Sequence, residues 1–349
     1  MASTFKSIGG NDTATTRTLL HEAIPLTGTI VSGTYYHATP DTQTNIKRYS
    51  HGMWESVYDY PYLSSSANHI FDLTIGYSAE SHLSSSSNFQ NSKKINIYNQ
   101  MAQVLVGFDE NGTVRRFDED GDHTGGTKMD EVFFVNYARL LSKDEIKKGS
   151  YTLKLNVSGS VPDPEGEITY GDYGAVTSYK TNSPAGDYGL IRRTSSTGQL
   201  FGLIYYQAGV AVLSASIFAG ADEFGPDNTS TGSVKNSVAM CMAQLGITAS
   251  CEGLRHRWDD NDFQNTTELN STIYFCRANH NEFNYSSNPT YVSSSKMVVK
   301  GVSEDSPVSY VTTVGLYADD SELLAVAKLS EPLKKTPSEE ITLRVRLDY

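Results

Sequence analysis

Residues 201–218 read FGLIYYQAGVAVLSASIF, the most apolar stretch of the chain. Its β-branched and aromatic residues suit a buried, pleated surface. Gly209 interrupts the run near its middle, so the stretch predicts two core strands joined by a turn rather than one long helix. No run approaches the ~20 apolar residues of a membrane span, so these residues are read as core and membrane insertion is not expected.

Upstream, YTLKLNVSG (151–159) alternates with period two and places Tyr151, Leu153, Leu155 and Val157 on one face of a strand. Val132 to Leu141 is a buried-strand candidate, and Phe71 to Ile75 (FDLTI) alternates as another. Between 141 and 151, SKDEIKKG predicts a short helix with Ser142 as N-cap, Glu145 at the capping-box position and Gly149 as its stop. Ile95 to Val106 predicts a longer helix, because Ile95, Tyr98, Ala102 and Leu105 recur at helical spacing. Residues 109–127 form a polar, Asp- and Gly-rich loop, and PDPEG (162–166) is a breaker. The phrase Gly-Asp-Tyr-Gly occurs at 171–174 and again at 186–189; both copies are read as turns.

Downstream, Val234 to Leu245 predicts a helix and residues 255–270 a polar loop. Strands are expected at 271–278, 296–302, 308–317, 322–329 and 341–347, with a hairpin turn at Ala318–Ser321. At the N-terminus, residues 1–24 predict an arm and a short helix, stopped by Pro25. The sum is a mainly β, α+β chain of antiparallel, sandwich-like sheets with a few short helices. Three parts are expected: residues 1–24, a β-rich domain 25–160 carrying the helix 95–106, and a β-rich domain 161–349.

Composition narrows the function. There are 22 Tyr and 13 Phe but only 2 Trp, and tyrosine suits interfaces because it joins an apolar body to a polar tip. The net charge of −12, without a basic block, argues against direct binding to nucleic acid. Three cysteines without a CxxC pair suggest a reducing site of synthesis. The N-terminus has no apolar core of a secretory signal.

No nucleotide-loop, zinc-protease or nucleophile-elbow motif occurs, so no catalytic, cofactor-binding or metal residue is assigned. Three groupings were weighed. Asp118, Asp120 and Asp122, with Asp109 and Asn111 upstream, could collect around Ca²⁺, but Gly121 comes too early for an EF-hand and a solvated loop is favoured. Asp259, Asp260 and Asp262 beside Arg257 and Trp258 could form a sugar site; a loop with a packed Trp is favoured. Cys276 with His280 and Glu282 lacks an orienting third group, so a structural role is favoured there too.

The phrases YFCRANHNEFNYSSNPTY (274–291) and SYVTTVGLYADDSELLAVAKLSEPLKKTPSEEITLRVRLDY (309–349), together with 201–218, resemble virion structural proteins of T4-like contractile-tailed bacteriophages of the marine, cyanophage type. The end of the chain resembles baseplate wedge subunits. The resemblance covers roughly residues 200–349. It implies a non-enzymatic, oligomeric subunit that needs no cofactor, is synthesised in the host bacterial cytoplasm and resides in the virion tail. Its partners would be itself, as a dimer or higher oligomer, and other tail or baseplate proteins. Phe283, Tyr285, Tyr291, Tyr310, Leu316, Tyr317 and Tyr349 are the expected contact residues. Around Pro289, a loop ordered by a neighbouring subunit and a surface loop satisfied within the chain stay equally open. Two other functions remain: a neck, fibre-attachment or capsid-decoration protein, and a carbohydrate-binding or carbohydrate-cleaving β protein suggested by Trp54, the tyrosines at 58–62 and Trp258.

Overall fold

The computed structural model describes residues 5–31, 33, 35, 43–160, 163–193, 198–221, 223–225, 237–284, 292–293, 296–297 and 308–349. Strands make up 43% of the chain and helices 17%, which places it in the mainly β, α+β class. The contacts divide it into two units: residues 20–267, and residues 1–19 with 268–349.

In chain order the strands are β1 (Thr13–Pro25), β2 (Ile46–Arg48), β3 (Glu55–Tyr58), β4 (His69–Tyr77), β5 (Glu131–Tyr137), β6 (Glu145–Ile146), β7 (Thr152–Ser160), β8 (Asp163–Gly171), β9 (Tyr188–Arg193), β10 (Leu200–Tyr205), β11 (Val210–Ser214), β12 (Trp258–Ala278), β13 (Val292–Ser293), β14 (Lys296–Met297), β15 (Ser309–Tyr317), β16 (Leu323–Lys335) and β17 (Ile341–Asp348). The helices are α1 (Asn91–Leu105), α2 (Arg139–Ser142), α3 (Ala175–Ser178), α4 (Val238–Gln244) and α5 (Ile247–His256).

The unit of residues 20–267 is built on one antiparallel sheet, ordered β12-β7-β8-β9-β10-β11-β5-β4-β3-β2. The stretch 201–218 forms β10 and β11 at its middle, as expected. Gly209, at φ +66°, makes the turn between them, a conformation that costs glycine little. Successive side chains of a strand point to opposite faces, and β5 shows what each face meets. Phe134 packs on Phe117 at 5.6 Å, and Phe117 meets Tyr98 of α1 edge-on at 5.3 Å. Its neighbour Phe133 meets Phe224 at 5.6 Å and Phe218 at 6.0 Å. Each such ring contributes about 1.5–3 kcal/mol by leaving water. Gly76 lets α1 lie against β4, since a Cβ there would sit 2.8 Å from the Tyr98 backbone nitrogen. The sheet also curls over itself: Phe71 of β4 stacks on Trp258 of β12 at 5.2 Å, and Tyr137 of β5 shares a 2.7 Å hydroxyl–hydroxyl bond with Tyr151 beside β7.

Buried charge locks this unit. Arg255 and Glu55 are both fully buried and paired at 2.9 Å; Arg255 also donates to the Tyr35 carbonyl and to Gln43 Oε1. Arg257 donates to the carbonyls of Asn156, Ser158, Gly159 and Glu223. Between them, burial and the neighbouring guanidinium groups push His256 down to about 3, so its imidazole stays neutral. Lys94 is fully buried, and its ammonium donates to the carbonyls of Phe89, Met242 and Leu245 at 2.6–2.8 Å, tying α1 to α4.

The two Gly-Asp-Tyr-Gly phrases converge on Tyr206. Asp172 of the first accepts from Tyr206 Oη and from the backbone of Gly149 and Tyr151. Gly189 of the second leaves room for that hydroxyl, which a Cβ would meet at 2.0 Å. The first phrase closes β8 and turns into α3; the second leads into β9.

Several local expectations are overturned. Residues 13–25 form β1 rather than a helix: Thr-rich, β-branched sequence disfavours helix, and Leu19 and Leu20 stay exposed instead of forming a buried stripe. Ser142 ends α2 instead of capping a helix. Lys143 turns at φ +54°, and Glu145–Ile146 pair with Asn265 and Thr266 of β12. PDPEG does not end the strand pattern, because residues from Asp163 onward pair back on β7 as a hairpin. That hairpin crosses the expected 160/161 boundary within the unit 20–267. Residues 255–270 hold the end of α5 and half of the long β12 rather than a loop.

In the other unit, Ser271 to Ala278 of β12 pair with β17, and β15 and β16 form a separate two-stranded sheet turned at Ala318–Ser321. β13 and β14 make a short hairpin. Residues 298–302 of the expected 296–302 strand lie outside the described residues.

Candidate interaction surfaces

The β15–β16 hairpin carries most of the described contact residues predicted from sequence. The Tyr317 ring lies over Gly315, where a Cβ would come within 2.9 Å of it. Phe5 packs against Tyr317 at 4.7 Å. Around them Leu323, Val326 and, at 65%, Leu324 are exposed. An apolar cluster left uncovered on a two-stranded sheet is unusual, because such sheets need a covering layer for stability.

Tyr310 is half exposed, whereas Leu316 turns inward and is buried, and so is not on offer to a partner. Tyr349 is 74% exposed while its backbone pairs with Asn270 in both directions. Phe283 sits at φ +52° with an exposed ring. Its carbonyl accepts from Ser309 Oγ, and the buried Lys335 donates to the His280 carbonyl, Asn284 Oδ1 and the Thr336 carbonyl. Residues 279–284 are therefore held within the unit itself. Tyr285 and Tyr291 lie outside the described residues.

A second surface, on the unit 20–267, was not assembled from sequence. Strand register sets Lys47 of β2, Ser56 of β3, Asp72 of β4 and Asn136 of β5 side by side across four strands. Ser56 donates to Asp72 Oδ1 at 2.5 Å, and His69 Nε2 lies 2.8 Å from the same oxygen. Aromatic rings border this row. Tyr49, whose hydroxyl lies 3.3 Å from Ser56 Oγ, stacks on His51 at 5.2 Å, and His51 meets Trp54 at 4.2 Å. Tyr58, hydrogen-bonded to Tyr49, meets His69 at 5.6 Å and Tyr62 at 6.4 Å. The signal in the sequence was the polar member of each alternating strand, Ser56 in ESVY and Asp72 in HIFDLTIGY. Which strands are neighbours is a non-local fact, so the row itself was not legible.

The three weighed groupings resolve differently. Asp118, Asp120 and Asp122 do gather, with carboxylate oxygens within 4.8 Å of one another. The Lys128 ammonium lies 2.7 Å from Asp118 and supplies counter-charge, while Asp120 and Asp122 accept from backbone N–H groups of the loop. Asp109 closes its own turn with Asn111 and Thr113. Trp258, the expected sugar platform, is 5% exposed and packed on Phe71 and Tyr35; that part of the carbohydrate reading falls. Asp259, Asp260 and Asp262 lie on β12, and burial with neighbouring carboxylates raises Asp259 and Asp262. Cys276, His280 and Glu282 have separate surroundings: burial pushes the Cys276 thiol up, His280 faces Glu340 and Glu282 pairs with Lys6. A thiol held protonated is a poor nucleophile.

Among the described residues, no helix is long and apolar enough to cross a membrane. No family model matches the chain, and no curated protein or solved structure matches it.

Proposed function

We propose that this chain is a non-enzymatic structural subunit of a contractile-tailed phage particle, with the tail baseplate wedge as its position. The observation that carries this reading is the uncovered apolar cluster of Phe5, Tyr317, Leu323, Leu324 and Val326 on the β15–β16 hairpin. A hairpin of that kind is stabilised by what docks on it. The resemblance of residues 309–349 to phage virion proteins falls on the same segment and supports the same role. The mechanism is interfacial: subunits repeat with the symmetry of the particle and present the same patch to each neighbour.

Mass spectrometry of purified particles and of isolated tails tests it. The chain is expected with the tail, at about six or twelve copies per particle, the multiples that six-fold symmetry dictates. Enrichment with heads at far higher copy number would move it to a decoration role, and a neck or fibre-attachment position would separate from the baseplate on tail dissociation. Absence from particles would remove the virion reading.

A further inference from the structure

We propose that the outer face of β2–β4 is a binding site for neutral, pyranose-containing saccharides. The inference stands apart from the virion role, because it rests on the unit 20–267 alone and needs no assembly.

A pyranose ring offers two chemistries at once: faces of weakly polar C–H groups and a rim of hydroxyls. The face of β2–β4 offers the complement of both. Trp54 of the Tyr49–His51–Trp54 group is 37% exposed and braced by ring contacts at 4.2 and 5.5 Å. Its electron-rich face suits C–H groups. Two residues along the chain, Ser56 pairs with Asp72, whose Oδ1 is occupied by Ser56 and His69, which fix the carboxylate in place. Among the described residues Asp72 Oδ2 has no protein partner, and the side chain is 29% exposed, so this oxygen is available to a hydroxyl pair. Asn136 lies next to it in register with a further donor. The side chains already hold one another, so little rotamer entropy is lost when a ligand arrives.

Charge and desolvation select the occupant. The cations at this face are engaged, Arg48 with Glu55 and Glu252, Lys93 with the His51 carbonyl and Lys47 over the Tyr49 ring at 4.8 Å, while Asp72 keeps a carboxylate oxygen toward solvent; acidic sugars are disfavoured. A dry protein interface is disfavoured as well. It would bury the Asp72 carboxylate within the patch, where interface cores are depleted in charge. A hydroxyl-bearing, hydrated ligand satisfies it instead.

The test uses the purified full-length chain on an array of neutral hexose and N-acetylhexosamine oligosaccharides and of their sialylated and sulfated counterparts, followed by titration calorimetry on the best binder. Tryptophan fluorescence gives a second readout, because Trp258 is buried and Trp54 is the indole a ligand can reach. Neutral glycans are expected to bind. Trp54→Ala should weaken them about 10-fold or more, Trp54→Phe should retain part of the binding, and Asp72→Asn should weaken it with the circular dichroism spectrum unchanged. Leu324→Ser, on the other unit, should leave it intact. No binding at millimolar glycan, binding of anionic glycans alone, or binding that survives both Trp54→Ala and Asp72→Asn in folded protein would overturn the proposal. Protection of Trp54 by a purified protein partner, with no glycan bound, would overturn it in favour of a protein interface.

Discussion

Both units bury a lysine and solve the problem in the same way. Lys94 in the unit 20–267 and Lys335 in the other are each fully buried, and each ammonium donates to three oxygens. A buried charge is tolerated only when its hydrogen bonds are met. What surrounds them differs. Around Lys94 are aromatic layers on both faces of a many-stranded sheet. Beyond Lys335 is a two-stranded hairpin on which Tyr317, Leu323, Leu324 and Val326 face water. A satisfied buried charge therefore marks local order in either place, and only the first setting also has the hydrophobic mass to stand alone.

The largest expected effect is alkaline unfolding confined to the first setting. Burial raises the phenols of Tyr98, Tyr137, Tyr151, Tyr188, Tyr205 and Tyr206, and brings Tyr170 to about 12, against an ordinary value near 10. A raised folded value means the unfolded chain loses these protons first. Their contribution is complete below about pH 10 and is lost as pH rises from there through the folded values. Tyrosinate absorbance followed with circular dichroism should show the buried set titrating together with loss of fold. Titration of every tyrosine near pH 10 with the fold intact would erase the contrast. Next in size, Arg255→Met should cost about 3 kcal/mol in urea unfolding, because it leaves the fully buried Glu55 with the partly exposed Arg48 as its one remaining charged partner among the described residues. Lys335→Met should act locally. Hydrogen exchange should speed up in residues 279–284, while exchange in β10 and β11 stays unchanged.

The same contrast explains what the sequence disclosed. Buried elements carried their own signal: residues 201–218 formed the expected hairpin, and the α1 stripe of Tyr98, Ala102 and Leu105 is buried as expected. Elements that owe their state to a distant partner did not. Glu145 and Ile146 looked like the first turn of a helix and instead pair with Thr266 and Asn265, more than a hundred positions away. β1 read as a helix although its side chains bury little, and the first half of β12 read as a polar loop because the residues it buries beside Trp258 and Phe263 are polar, Asn261, Asn265 and Thr266; strand pairing rather than apolar pattern decides both. Trp258 was read as a possible platform; only the curl of the sheet brings Phe71 over its indole. The polar row from Lys47 to Asn136 shows the same limit, since each residue is ordinary in its own strand and distinctive only in register.

The smallest effect on the isolated chain is the sharpest test of the hairpin. Leu324→Ser combined with Val326→Ser removes apolar surface that faces water. Away from caps, cores and paired charges, such changes shift stability by about 0.5 kcal/mol or less, so the urea midpoint should barely move. If the cluster docks against a neighbour, the same pair of changes removes surface at the centre of an interface, where a few residues carry most of the binding energy. Sedimentation of the wild-type and doubly substituted chains, alone and in reconstitution with tail proteins, should then differ in assembly by about 10-fold or more while the monomers melt alike. A drop in monomer stability of several kcal/mol would place the cluster under cover within its own chain and erase the contrast from the other side. Equal stability with equal assembly would leave the patch as solvated surface and move the docking face elsewhere, with the exposed Tyr349 at the end of β17 the next position to substitute.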